Sequence, residues 1–199
     1  MLHPAVKPGV TQRYGIGLFA TKPIPVGSVV WHPSLQSLQV TPAEAACLPE
    51  LTALWLDELG YRLSNGNTIL PAGGACFFNH SCAPNIVDTG LDFGIAVRNL
   101  EPGEELTLDY TSFIFDPPFE FRCRCDAASC RGTVTNGGPP ACPTHLPVAA
   151  IRQILQRPQP LRRSLLASSR SFAEIVAGAE VPHPRSICDP PQLSGAGTR

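Results

Sequence analysis

The run Phe77-Phe78-Asn79-His80-Ser81-Cys82-Ala83-Pro84-Asn85 constrains this chain more than any other feature. It sets amide, imidazole, hydroxyl and thiol side chains beside an apolar lead-in and includes a proline, a pattern that a strand serving only to fill a core does not need. Roughly 40 positions later, Cys123, Cys125 and Cys130 lie at C-x-C-x4-C spacing. That is one thiol short of the four ligands that structural zinc takes. Cys82 is a candidate for the fourth, and by spacing alone Cys76, Cys142, Cys47 and Cys188 are alternatives.

The reading of those thiols as ligands depends on the compartment. The first eight residues hold no apolar signal region, and no apolar run approaches the length of a membrane span. The expectation is a soluble intracellular protein, cytoplasmic by default or nuclear, with no signal peptide or transmembrane segment. There, eight cysteines read as reduced thiols and metal ligands rather than disulfides. The chain's 199 residues suffice for one domain with a proper core.

The net charge of -1 hides an asymmetry: residues 1–134 carry 8 basic and 13 acidic side chains, residues 135–199 carry 7 and 3. An acidic body argues against direct nucleic-acid binding and suits a basic, lysine-bearing peptide. With only Lys7 and Lys22 as lysines, there is no basic run that reads as a nuclear address.

Short strands are expected at Ile16–Ala20 and Ser28–His32, with Thr21 to Gly27 as a proline-punctuated turn. Thr41-Pro42-Ala43-Glu44 is a capping box, so one helix is expected from there to Gly60. Leu48, Leu51, Leu54, Trp55 and Leu59 recur at helical spacing and predict a buried face. More strands follow at Tyr61–Leu63, Thr68–Leu70, Phe77–Cys82, Ile86–Val87, Phe93–Val97 and Leu106–Tyr110, with turns at Gly73-Gly74 and Glu101 to Glu105. One helix among many short strands predicts a β-rich α+β domain. Beyond Val134, prolines and arginines dominate, and a partly helical or disordered tail is expected over 135–199.

Three further motifs stand in order with the first: Gly15-Ile16-Gly17 at a strand entrance, Glu104-Glu105-Leu106-Thr107-Leu108-Asp109-Tyr110, and the cysteine cluster. Together they resemble the SET-domain protein-lysine methyltransferases with a post-SET zinc module. The resemblance runs from about Tyr14 to Thr133. It implies a SET-domain fold of short strands in small sheets with a knot-like C-terminal segment. The implied divisions are a lead-in over 1–13, the SET domain over 14–118, a post-SET zinc segment over 119–134, and the tail.

The implied activity is methyl transfer from S-adenosylmethionine to a lysine ε-amine of a protein, histone or otherwise. In the family, the G-x-G backbone at Gly15, Ile16 and Gly17 contacts the cofactor, as do Asn79 and His80, and Tyr61 sits beside it. Tyr110 matches the catalytic tyrosine and would meet Asn79, 31 positions before it. Phe78 and Leu108 fall on the substrate-lysine channel, and Phe119 or Phe121 would flank the adenine or that channel. Cys82, Cys123, Cys125 and Cys130 match the shared zinc ligands of a closed, structural site. Leu108 departs from the family's usual Phe or Tyr, and a smaller aliphatic residue there implies room for higher methylation states. The readings in competition are a SET-like binding module without turnover and a zinc-organised interaction domain.

Overall fold

The computed structural model describes residues 1–32, 37–62, 66–88, 93–112 and 120–135, together with Pro160, Leu166, Ala173 and Ala177. Most of the expected tail, and Phe119, lie outside the described residues. Twelve strands occur among them: β1 (Val6–Thr11), β2 (Gly15–Ala20), β3 (Val29–Trp31), β4 (Leu38–Val40), β5 (Tyr61–Arg62), β6 (Thr68–Leu70), β7 (Asn79–His80), β8 (Ile86–Asp88), β9 (Gly94–Ala96), β10 (Glu105–Leu108), β11 (Glu120–Arg122) and β12 (Thr133–Thr135). Two α-helices, α1 (Pro42–Ala45) and α2 (Glu50–Leu59), and 3₁₀ turns at Ala72–Phe77 and Tyr110–Ser112 complete the set. The β-rich α+β architecture of small sheets is as expected.

Four separate sheets form, in the orders β1-β2-β10-β7, β3-β9-β8, β4-β6-β5 and β11-β12. The first sheet positions the chemistry. Its strand β10 lies antiparallel to β2, pairing Glu105 with Phe19 and Leu106 with Leu18. On its other side it lies parallel to β7, pairing Thr107 with Asn79 and Leu108 with His80. Leu18 and Leu106 are fully buried; such burial contributes roughly 1.5–3 kcal/mol per side chain. Around them pack Ile24, Val30, Ile86, Ala96 and Leu100.

Residues expected to be a lead-in instead supply β1, which pairs with β2 at all six positions from Val6–Ala20 to Thr11–Gly15. Pro8 is tolerated because β1 is an edge strand, where a missing N–H costs no ladder bond.

The expected single helix is two. The capping box forms, with Thr41 Oγ1 accepting from Glu44 N at 3.2 Å and Thr41 N donating to the Glu44 carboxylate at 2.8 Å. The helix it starts lasts one turn, because Pro49 disfavours helical backbone at Leu48. Pro49 then becomes the N-cap of α2. The expected buried face also fails: Leu51, Leu54 and Trp55 are 66%, 53% and 60% exposed, and Leu56 is the buried residue of α2. Periodicity reports which side chains share a face, and α2 turns a different one toward the sheets.

Candidate active site and cysteine cluster

The G-x-G turn is shaped by close approach. Gly15 has φ +79, a left-handed conformation that glycine adopts without cost. At Gly17 a Cβ would lie 2.4 Å from Glu105 Oε1 and 2.9 Å from Asn79 Nδ2. The space a side chain would occupy is filled by those two residues. Asn79 Nδ2 donates to Ile16 O at 3.0 Å and to Glu105 Oε1 at 2.7 Å. The glycine therefore lets β7 and β10 meet the turn.

Parallel pairing of β7 with β10 carries the rest of the site. Ser81 N donates to Leu108 O at 2.9 Å, and Tyr110 N donates to His80 Nδ1 at 3.1 Å. Asn85 ties the strand from the side: its amide donates to Glu105 O at 2.8 Å, and its Oδ1 accepts from Thr107 N at 2.8 Å. Tyr110 Oη donates to Phe78 O at 2.5 Å. The rings of His80 and Tyr110 meet edge to face at 5.5 Å, and Phe121 stands against both at 5.4 and 6.1 Å.

Burial, with the nearby Tyr14, Glu105 and Cys76, pushes the Tyr110 phenol up to about 12. It stays protonated across the physiological range. Burial also brings the His80 imidazole down to about 4, with Arg131 adding to the effect and Asp109 opposing it. His80 is thus neutral, and since a backbone N–H only donates, its Nδ1 is the acceptor and its proton sits on Nε2.

These groups border a cleft of about 470 Å³, a size suited to a small-molecule ligand. Tyr61, Phe78, Asn79, His80, Leu108 and Tyr110 all line it, so these expected site residues converge. Phe121 lines it too, and Asp57 and Glu58 at the end of α2 add negative charge at its border. Gly15, Ile16 and Gly17 are not among its lining residues; Ile16 O is tied to the lining residue Asn79 through the Asn79 amide.

Cys82, Cys123, Cys125 and Cys130 bring their sulfurs within 4.8 Å of one another. Cys82 and Cys123 are 3.8 Å apart, about the ~3.8 Å edge of a tetrahedron with Zn–S bonds of ~2.3 Å. The donor set fits zinc. Although burial works the other way, backbone N–H groups of Cys82 and Ala127 help bring the Cys125 thiol down to about 7, while burial pushes Cys123 up. Cys76 and Cys47 are not in the group, and Cys142 and Cys188 lie outside the described residues.

Several residues that hold this arrangement carry no local sequence signal. Tyr14 Oη accepts from Arg124 N at 3.2 Å, and Arg13 forms an ion pair with Asp126. Both latch the β1–β2 turn to the cysteine lobe. Asp109, 4% exposed, is held by Arg131 at 2.6 Å. An acid directly before Tyr110 and a base directly after Cys130 were the available hint.

Residues 15–111 match the SET domain family. The chain carries a SET domain, and histone-lysine N-methyltransferases are among its homologues. It is 37% identical over 81 residues to histone-lysine N-methyltransferase 2D of Homo sapiens, covering 36% of this chain and 2% of that one. To histone-lysine N-methyltransferase ash1 of Drosophila melanogaster it is 31% identical over 147 residues, covering 65% and 6%. To Set2 of the same fly it is 39% identical over 71 residues, covering 32% and 3%. The matched region thus spans a small fraction of each of these relatives. A solved structure described as KRYPTONITE in complex with mCHG DNA and SAH aligns at a TM-score of 0.46 and 23% identity, over 64% of this chain and 28% of that one.

Proposed function

We propose that the chain is a protein-lysine N-methyltransferase that moves a methyl group from S-adenosylmethionine to a lysine ε-amine. The sulfonium supplies an activated methyl group and leaves as a neutral thioether when the amine nitrogen forms the new N–C bond. Asn79 and His80, the backbone at Gly15, Ile16 and Gly17, and Tyr61 hold the cofactor. Phe78 and Leu108 border the lysine channel. Tyr110 orients the amine and methyl for in-line transfer.

The observation that carries this reading is the part-buried Tyr110 phenol, bonded to Phe78 O and set among Asn79, His80 and Leu108 in one cleft. A phenol held at about 12 is no general base at neutral pH. Its role is to donate and position, and the proton of the lysine ammonium goes to water before attack. The acidic border at Asp57 and Glu58 suits a basic peptide. The relatives' names support a histone as substrate, which would place the protein in the nucleus. Zinc in the four-thiol cluster would be structural, since four protein ligands leave no open position.

The test is transfer of labelled methyl from S-adenosylmethionine to a pool of histones and whole-cell protein. Lysine labelling by wild type, reduced by about 10²-fold or more in Tyr110→Phe, is the expected result. Wild type that binds the cofactor but labels no protein would favour a binding module instead. With Leu108 in place of an aromatic residue, di- and trimethyl-lysine should accumulate. Mass spectra that stop at monomethyl-lysine at long times would refute that part.

A further inference from the structure

Two chains of hydrogen bonds run from Cys82 to the turn that carries Tyr110. One passes through Arg131, whose backbone N–H and Nε each lie 3.4 Å from Cys82 Sγ. The same guanidinium donates through Nη2 to Asp109 Oδ1 at 2.6 Å and through Nη1 to Thr111 Oγ1 at 3.4 Å. A single residue thus touches a thiol of the cluster on one side and both sequence neighbours of Tyr110 on the other. The second chain passes through His80, whose Nε2 lies 3.4 Å from Cys82 Sγ while Nδ1 accepts from Tyr110 N.

Burial makes the Arg131 link consequential. The Asp109 side chain is 4% exposed and that of Arg131 21%. Charged hydrogen bonds so shielded from water are stronger than surface ion pairs, and removing one partner strands a buried charge. The planar fork also fixes direction, because Nε faces the sulfur while the Nη groups face Asp109 and Thr111. An ammonium group offers donors from one point and cannot reach all three partners together.

We propose that Arg131 is a positioning residue which couples the cysteine cluster to the reacting centre, holding the Asp109–Thr111 turn, and Tyr110 within it, at a place fixed by Cys82. The catalytic consequence rests on the methyltransferase reading; the mechanical link does not. Release of the metal, or loss of the Cys82 thiolate, frees Arg131 and loosens the Tyr110 turn. The cluster then bears on the chemical step as well as on the order of the lobe around it.

The experiment compares wild type with Arg131→Lys and Arg131→Met after replacement of zinc by cobalt. A thiolate that loses hydrogen bonds is a better electron donor, so the sulfur-to-cobalt charge-transfer band should move to lower energy in both variants. Amide exchange at Tyr110 should quicken by at least about tenfold. With zinc, kcat should fall by about 10- to 100-fold, while KM for S-adenosylmethionine changes less than about twofold, because the cofactor contacts are untouched. Lys should not rescue. An unmoved band in Arg131→Lys, with metal still bound, overturns the link. A shifted band with kcat unchanged overturns the coupling. If wild type transfers no methyl at all, the activity reading fails by itself, and the band and the exchange rate still decide whether Arg131 joins thiolate to turn.

Discussion

The strand-built body and the cysteine lobe are held together by different physics. In the body, Leu18, Ile24, Phe93, Ile95, Leu100 and Leu106 are fully buried, and sheets join segments far apart in the chain. In the lobe only Cys82, Cys123 and Val134 are buried, with Phe121, Cys125, Ala127 and Cys130 packed against them. Among the described residues its strand pairing is the short β11–β12 ladder. A few buried side chains at roughly 1.5–3 kcal/mol each do not offset an ordering cost of about 1–2 kcal/mol per residue. Metal ligation by the four thiols, together with the polar latches at Arg13, Tyr14 and Arg131, would supply the balance. The expectation is that order in the body is intrinsic, whereas order in the lobe is conditional on the metal. The cleft takes Tyr110 from one and Phe121 from the other, so it is complete only when both are in place.

The largest effect that would sharpen this contrast is metal removal. A strong chelator should strip amide protection from residues 120–135 by about a thousandfold or more, since structural zinc contributes on the order of 10 kcal/mol to small metal-dependent folds. Protection in β2, β9 and β10 should stay within a few-fold of its starting value. Simultaneous loss in both regions, followed by hydrogen exchange, would show that the body depends on the metal too.

Next in size is a pair of truncations. Leu106→Ala removes a fully buried side chain between β2 and β7 and should cost about 2–5 kcal/mol in denaturant unfolding. Trp55→Ser, on the 60% exposed face of α2, should change stability by less than about 0.5 kcal/mol. A cost for Trp55→Ser comparable to that for Leu106→Ala would mean that the face is covered in solution.

What could be read from the sequence follows the same division. The strands of the body alternate or run apolar, and the resemblance carried by the order of the motifs grouped Tyr61, Asn79, His80, Leu108 and Tyr110, which the fold brings to one cleft. Spacing left the partner of the three downstream thiols open and the family resemblance pointed to Cys82, whose sulfur the fold brings within 4.8 Å of the other three. Other features had no local sign. Lys7 and Pro8 interrupt β1, which exists through its partner β2. Pro49 splits a helix that the capping box and leucine spacing ran together. The apolar stripe of α2 was legible as a stripe, but its exposure depends on how the helix sits. Arg131 and Asp109 are 22 positions apart, and only the fold brings them together as a part-buried pair.

A pH-dependent effect separates orientation from proton transfer at Tyr110. The phenol sits at about 12 in the folded state, against an ordinary value of 10. The sign is that of a raised group: above pH 10 the unfolded chain gives up its phenolic proton while the folded chain keeps it. The folded state therefore binds more protons there, and stability falls as pH rises. A two-unit difference corresponds to roughly 2–3 kcal/mol, fully present below pH 10 and lost as pH climbs to 12. In Tyr110→Phe that loss should vanish, giving a flatter stability curve over this window by denaturant titration. Activity should behave differently. Because the phenol does not ionise between pH 6 and 10, the rate profile of the wild type should rise with deprotonation of the lysine substrate and show no inflection from Tyr110. A wild-type inflection near pH 8 that is absent when residual turnover of Tyr110→Phe is followed would mean that the tyrosine exchanges a proton during the reaction, and the positioning role would give way to base catalysis.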